Sequence, residues 1–123
     1  MSVHDPPPRP VHWVGSSLND LKRMPVAVQK AIGTALRDLQ FGARPRGIKR
    51  LTGLGGGVLE IVDDFDRSTY RAVLTVEFED AIYVLHVFQK KSKRGLATPR
   101  QDVEKIVRRL RVARSLHRGL HNE

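Results

Sequence analysis

The sequence predicts an α+β fold: a small, twisted, mostly antiparallel sheet with an N-terminal helical hairpin and a C-terminal helix. Three observations carry this. Val58–Val62, Tyr70–Phe78 and Ala81–Phe88 read as successive strands, the second alternating and the third apolar on both faces. Val28, Ile32, Leu36 and Leu39 fall on one helical face before them, and Val103, Ile106, Val107, Leu110 and Ala113 on another after them. Glu79-Asp80 leaves room only for a tight turn between the last two strands. The predicted order is β-α-α-β-β-β-β-α, with the helices expected on one face of the sheet.

Each element has a local reason. Met1 to Pro10, with Pro6, Pro7, Pro8 and Pro10, reads as an extended, flexible leader. Val11 to Val14 is a short strand ended by Gly15. Ser16 or Ser17 can cap a brief helix through Leu18, Leu21 and Lys22, with Asp20 in capping-box position behind Ser17. Pro25 suits the first turn of the next helix, and Gly42 suits its C-terminal cap. Ile48 to Leu51 is a strand, followed by a glycine-rich loop. Asp63 to Ser68 reads as turn between strands. Thr98 is expected to cap the last helix, with Pro99 at its first position and Gln101 completing the box.

At 123 residues the chain is one domain, with residues 11–114 as its body, 1–10 as leader and 115–123 as a basic tail. Without cysteine there is no disulfide framework, no thiolate nucleophile and no cysteine-based metal site. The five histidines are scattered, so no zinc site is expected. No run has the length of a membrane span and no apolar signal core precedes the domain, so a reducing, cytoplasmic compartment is expected.

Charge is the sharpest functional signal. From Lys90 to Arg118 there are eleven Lys and Arg against Asp102 and Glu104, while the rest of the chain balances to zero, so the whole net charge of +9 lies in this last third. A polyanion is the expected partner. The strand ending at Phe88 empties directly into Lys90, Lys91, Lys93 and Arg94, which ties cations to a rigid scaffold.

Arg71 lies on the strand face opposite Tyr70, Ala72, Leu74 and Val76. It is expected either to project from an open face and meet Lys90 and Lys91 on one phosphate, or to pair with Glu77 or Glu60. Lys49 and Arg50 either reach the same region or form a solvated edge pair. Gly55-Gly56-Gly57 lacks the Lys-Ser/Thr of a phosphate loop and reads as a turn. Asp63, Asp64 and Asp66 lack the distal glutamate of a calcium loop and fit turn chemistry. His86 is either a satisfied core histidine or an acid–base group. Lys105, Arg108, Arg109 and Arg111 form a basic face on the last helix, either solvated or in contact with RNA or a partner.

A helical hairpin followed by a strand meander, Tyr70-Arg71, the run Leu85-His86-x-Phe88-x-Lys90-Lys91, and Thr98-Pro99 before a closing helix together resemble the RelE/ParE superfamily of toxins from type II toxin–antitoxin modules. The phage-derived HigB-like branch is the most similar. The resemblance spans Val11 to Arg114 and implies a RelE-like fold and a ribosome-dependent mRNA endoribonuclease that inhibits translation. It implies attack by the RNA 2′-hydroxyl without a cofactor. The implied partners are mRNA on the ribosome and a cognate antitoxin, a helix-turn-helix protein from the adjacent gene. Carried over residue by residue, Arg71, Lys90 and Lys91 match the catalytic set: Arg71 and Lys91 for charge stabilisation, Lys90 for proton transfer. Lys49, Arg50, Lys93, Arg94 and Arg100 make up the expected RNA-contacting set. Val62 stands where many relatives carry an arginine, two residues after the strand glutamate, here Glu60. A gyrase-inhibiting toxin of ParE type and a non-catalytic basic RNA-binding domain are the alternatives.

Overall fold

In a computed structural model, residues 7–90 and 98–121 are described, and the eight expected elements occur in the expected order. They are β1 (Val11–Trp13), α1 (Ser17–Lys22), α2 (Val26–Gln40), β2 (Ile48–Arg50), β3 (Val58–Phe65), β4 (Ser68–Phe78), β5 (Ala81–Lys90) and α3 (Arg100–His121). The sheet runs β1-β5-β4-β3-β2, with β1 parallel to β5 and the other neighbours antiparallel. β5 is therefore an interior strand, as its apolar character on both faces requires, and the middle place belongs to β4.

The helices do not share one face. Val28, Ile32, Leu36 and Leu39 of α2 pack with Leu59, Ile61, Ala72, Leu74, Val84 and Val87 on one side of the sheet. Ile106, Leu110 and Ala113 of α3 pack with Val58, Val73, Tyr83, Leu85 and Phe88 on the other. The reason is the second face of β4 and β5. Val73, Leu85 and Phe88 are apolar and would lie exposed under a one-sided cover. Within the stripe expected on α3, Val103 turns out 37% exposed, and Ile106, Leu110 and Ala113 carry the burial.

Several local readings shift by a few residues. β3 runs on through Asp63, Asp64 and Phe65, so the turn is only Asp66-Arg67, with φ of 49° and 64°. That left-handed pair suits a two-residue hairpin between strands of right-handed twist. Thr69 Oγ1 donates to Asp64 Oδ1 at 2.8 Å, which occupies one carboxylate of the aspartate group. Gly42, at φ 81°, closes α2: its N–H donates to the Leu39 carbonyl at 3.1 Å, and that of Ala43 to Asp38 at 2.8 Å. The expected capping box on α1 does not form. Ser17 is buried and donates to the Val84 carbonyl at 3.2 Å, while Ser16 Oγ and Asp20 Oδ2 bond each other at 2.7 Å. In α3 the first helical acceptor is the Pro99 carbonyl, taken by the Val103 N–H at 3.1 Å, so Pro99 rather than Thr98 holds the cap position.

Arg9 and Pro10, at the end of the expected leader, are tied to the domain. The Arg9 guanidinium donates to the Phe78 and Leu39 carbonyls at 3.1 and 3.0 Å, and the Pro10 carbonyl accepts from the Ile82 N–H at 2.9 Å. At the other end α3 continues through the stretch expected as a basic tail, to His121. No helix among the described residues is long and apolar enough to cross a membrane.

A cationic cluster as candidate nucleic-acid interface

The register of β2, β3, β4 and β5 decides which side chains meet. Lys49 is opposite Glu60, Glu60 opposite Val73, and Val73 opposite His86; one rung further, Val62, Arg71 and Phe88 line up, and then Thr69 faces Lys90. Alternate residues share a face. Lys49, Glu60, Arg71, His86 and Lys90 therefore all belong to the α3 side of the sheet, around the first turn of that helix.

At the centre of this strip, Arg71 Nη1 donates to Glu60 Oε1. The Glu60 side chain is 4% exposed and that of Arg71 14%. One of the two sequence alternatives, pairing of Arg71 with Glu60, is thus realised, but not as a solvated surface pair. Lys49 and Lys90 stand around the buried pair. Burial pushes the Lys90 ammonium below its usual value; the charges of Arg71 and Lys49 push the same way, and Glu60 opposes them. Three cations and one carboxylate from four neighbouring strands thus feel one another. Arg71 Nε has no hydrogen-bond partner among the described residues.

The remaining predicted residues divide. Arg50 lies two residues from Ile48, whose side chain packs against the α2-side core, so strand alternation turns Arg50 away from Lys49 and Arg71. Arg100 is 91% exposed at the start of α3 and pairs with Glu104 at 3.0 Å. Lys91, Lys93 and Arg94 lie outside the described residues.

Three participants were not placed by sequence reasoning. Glu60 appeared only as a possible neutraliser of Arg71, whereas it is the hub of the cluster. His86, 4% exposed, sets Nε2 at 2.7 Å from Asp102 Oδ1 and stacks on Phe88 with centroids 4.6 Å apart. The contact pins the first turn of α3 over the cluster, and no spacing rule links residues on two elements before they dock. Arg109, counted with the basic helix face, is instead a bridge: it donates to the Leu85 carbonyl at 2.9 Å and to Ser16 Oγ at 2.9 Å. Leu85 is the unpaired residue of a β-bulge, and Arg109 satisfies the carbonyl that the bulge frees. Gly15 suits this place by its left-handed φ of 57°, and a Cβ on it would also press on the Arg109 guanidinium, 2.8 Å from Nε.

The state of His86 has a measurable consequence. Burial lowers its pKa from the ordinary 6.5, the hydrogen bond and charge of Asp102 oppose this, and Lys105 and Arg109 add to the lowering. Above that ordinary value the folded ring is neutral and donates from Nε2 to Asp102, while Nδ1 is buried with no hydrogen-bond partner among the described residues. Below the ordinary value the unfolded chain binds a proton that the folded chain refuses, so stability falls as pH drops from 6.5 towards the lowered pKa. Urea midpoints between about pH 8 and about pH 5 are expected to show this loss, and His86→Gln to flatten it. A wild-type midpoint that rose on acidification would mean a folded-state imidazolium paired to Asp102.

Fold and site together define a small α+β domain that gathers cations around a buried ion pair on a sheet face partly roofed by its last helix. The chain belongs to the phage-derived protein Gp49-like family (DUF891), whose model matches residues 19–111. That span contains Lys49, Glu60, Arg71, His86, Lys90 and Asp102. No curated protein and no solved structure matches the chain.

Proposed function

We propose that the protein is the toxin of a RelE/HigB-type toxin–antitoxin pair and acts as a ribosome-dependent mRNA endoribonuclease. The observation that supports this reading most is the gathering of Lys49, Arg71 and Lys90 from three strands on one face, beside the start of the most basic third of the chain. RNA brings its own nucleophile. Its 2′-hydroxyl attacks the adjacent phosphate and gives up its proton to solvent, the bond to the 5′-oxygen breaks, and a 2′,3′-cyclic phosphate and a 5′-hydroxyl result. The protein has to hold the line of attack, stabilise the extra negative charge and protonate the leaving oxygen. Arg71, with N–H groups beyond the one given to Glu60, and Lys91 supply positive charge; Lys90, its pKa already lowered, supplies the proton. Lys49, Lys93, Arg94 and Arg100 contribute to RNA contact, while Arg50, on the other face of β2, takes no part in it. A cytoplasmic site of action and a neighbouring antitoxin belong to the same proposal.

The burial of Arg71 against Glu60 favours a second reading, in which the domain inhibits gyrase or binds RNA without cutting it. Expression of the chain alone, with RNA ends mapped on ribosomes, separates the readings. Growth arrest with new ends inside translated messages is the expected outcome. Arrest with intact mRNA and an induced DNA-damage response would instead indicate the gyrase reading, and unimpaired growth a non-catalytic one.

A further inference from the structure

The far end of α3 carries a second surface that the cation cluster does not use. Leu116 and Leu120 are 52% and 62% exposed, and Val112, one turn earlier, is 42% exposed. Leu116 and Leu120 form one wall of a cavity of about 530 Å³, with His12 and Trp13 of β1 and Tyr83 of β5 opposite. Gly119 adds no side chain to the space between them. Large aliphatic side chains gain free energy by leaving water, so two or three of them left exposed beside a groove mark a contact surface.

The groove is held open by its own floor. His12 stacks on Tyr83 with centroids 4.9 Å apart, the Tyr83 hydroxyl meets His117 Nδ1 at 3.2 Å, and His117 stacks on Phe78 at 3.8 Å. His117 Nε2 also meets Asp80 at 3.2 Å. These contacts fix β1, β5 and α3 relative to one another, so an occupant meets a preformed slot.

The rim determines what fits. Arg111, Ser115 and Arg118 follow at i, i+4 and i+7 along the exposed side of the apolar stripe, and from Lys105 to His121 the helix has no acidic residue. A second copy of this chain would bring the same arginines against one another. A bilayer is flat, whereas the site is a concavity between a helix and a sheet edge, and its exposed stripe is aliphatic without aromatic anchors. We propose that this groove docks an amphipathic helix of a partner protein, apolar along one stripe and acidic beside it. Helix-in-groove recognition needs this combination of an apolar trough and a charged border. Asp102 and Leu120 are about 27 Å apart along α3 at 1.5 Å per residue, so an occupant here leaves the Arg71 cluster open. The proposal does not rest on RNA cleavage.

The test is to pan a displayed library of random helical peptides against the full chain and titrate the enriched sequences by isothermal calorimetry. Expected are peptides with an apolar i, i+4 stripe flanked by Asp and Glu, each binding saturably at one site per chain. Leu116→Ser with Leu120→Ser should weaken them at least about tenfold, as should Arg111→Glu with Arg118→Glu, and all four side chains are exposed enough for the fold to survive. Retained affinity in both double variants, enrichment of basic peptides, or no enrichment would overturn the proposal. So would dimerisation in sedimentation that Leu116→Ser with Leu120→Ser abolishes, or binding to phosphatidylglycerol vesicles and to no peptide.

Discussion

Glu60→Ala is expected to destabilise the protein by about 3–5 kcal/mol, the range for removing one partner of a buried ion pair. The glutamate itself is not the main loss. Its removal leaves the Arg71 guanidinium, with a side chain only 14% exposed, without its carboxylate while Lys49 and Lys90 still repel it. Burial makes that charge expensive, because water cannot replace the lost partner. Replacing the pair together, by Glu60→Met with Arg71→Leu, should recover most of the loss, since neither charge then remains to be solvated. Urea unfolding of Glu60→Met, Arg71→Leu and the double variant measures the coupling, which should be at least as large as the loss that joint replacement recovers. A single-variant cost below about 1 kcal/mol would show an exposed pair of ordinary surface strength.

The same pair shows where sequence reasoning reaches its limit. Element order was legible because apolar period is local: the alternation of Tyr70 to Phe78 and the 3.6-residue stripe of α2 each need only one segment. The two-sided cover was also within reach. A run apolar on both faces, Ala81 to Phe88, cannot be satisfied by helices on one side, and following that condition through places α3 opposite α2. Arg50 was grouped with Lys49 by proximity in sequence, although strand alternation alone separates neighbours onto opposite faces. The short turn between their strands is enough to bring Arg71 and Lys90 near one another, whereas the sequence leaves Lys49 open between that region and a solvated edge pair. The arrangement of all three around Glu60 was not legible, because it depends on the register of β2 on β3, which no short turn fixes. The His86–Asp102 contact depends on docking, as does the bridge from Arg109 to the bulge at Leu85. Those contacts join segments that only the packed core brings together.

Among activity variants, Lys90→Ala is expected to have the largest effect on the proposed RNA cleavage, lowering the rate about 10²–10⁴-fold as loss of a general acid does. Alanine removes charge and proton together, so Lys90→Arg is the more informative change. It keeps a cation at the end of β5 but cannot release a proton near neutrality. If Lys90 protonates the leaving 5′-oxygen, Lys90→Arg stays within about tenfold of Lys90→Ala. If Lys90 only balances charge, Lys90→Arg stays within about tenfold of wild type. The pH profile supplies the sign. An acid must be protonated to act, so wild-type cleavage should decline on a basic limb set by the Lys90 pKa, which burial, Arg71 and Lys49 hold below the usual lysine value. Lys49→Ala removes one of those repulsions and should move the limb to higher pH, leaving activity below it where RNA contact by Lys49 is not limiting. A limb that stays in place in Lys49→Ala and persists in Lys90→Arg would assign the proton to a different group and leave Lys90 as a phosphate-facing cation.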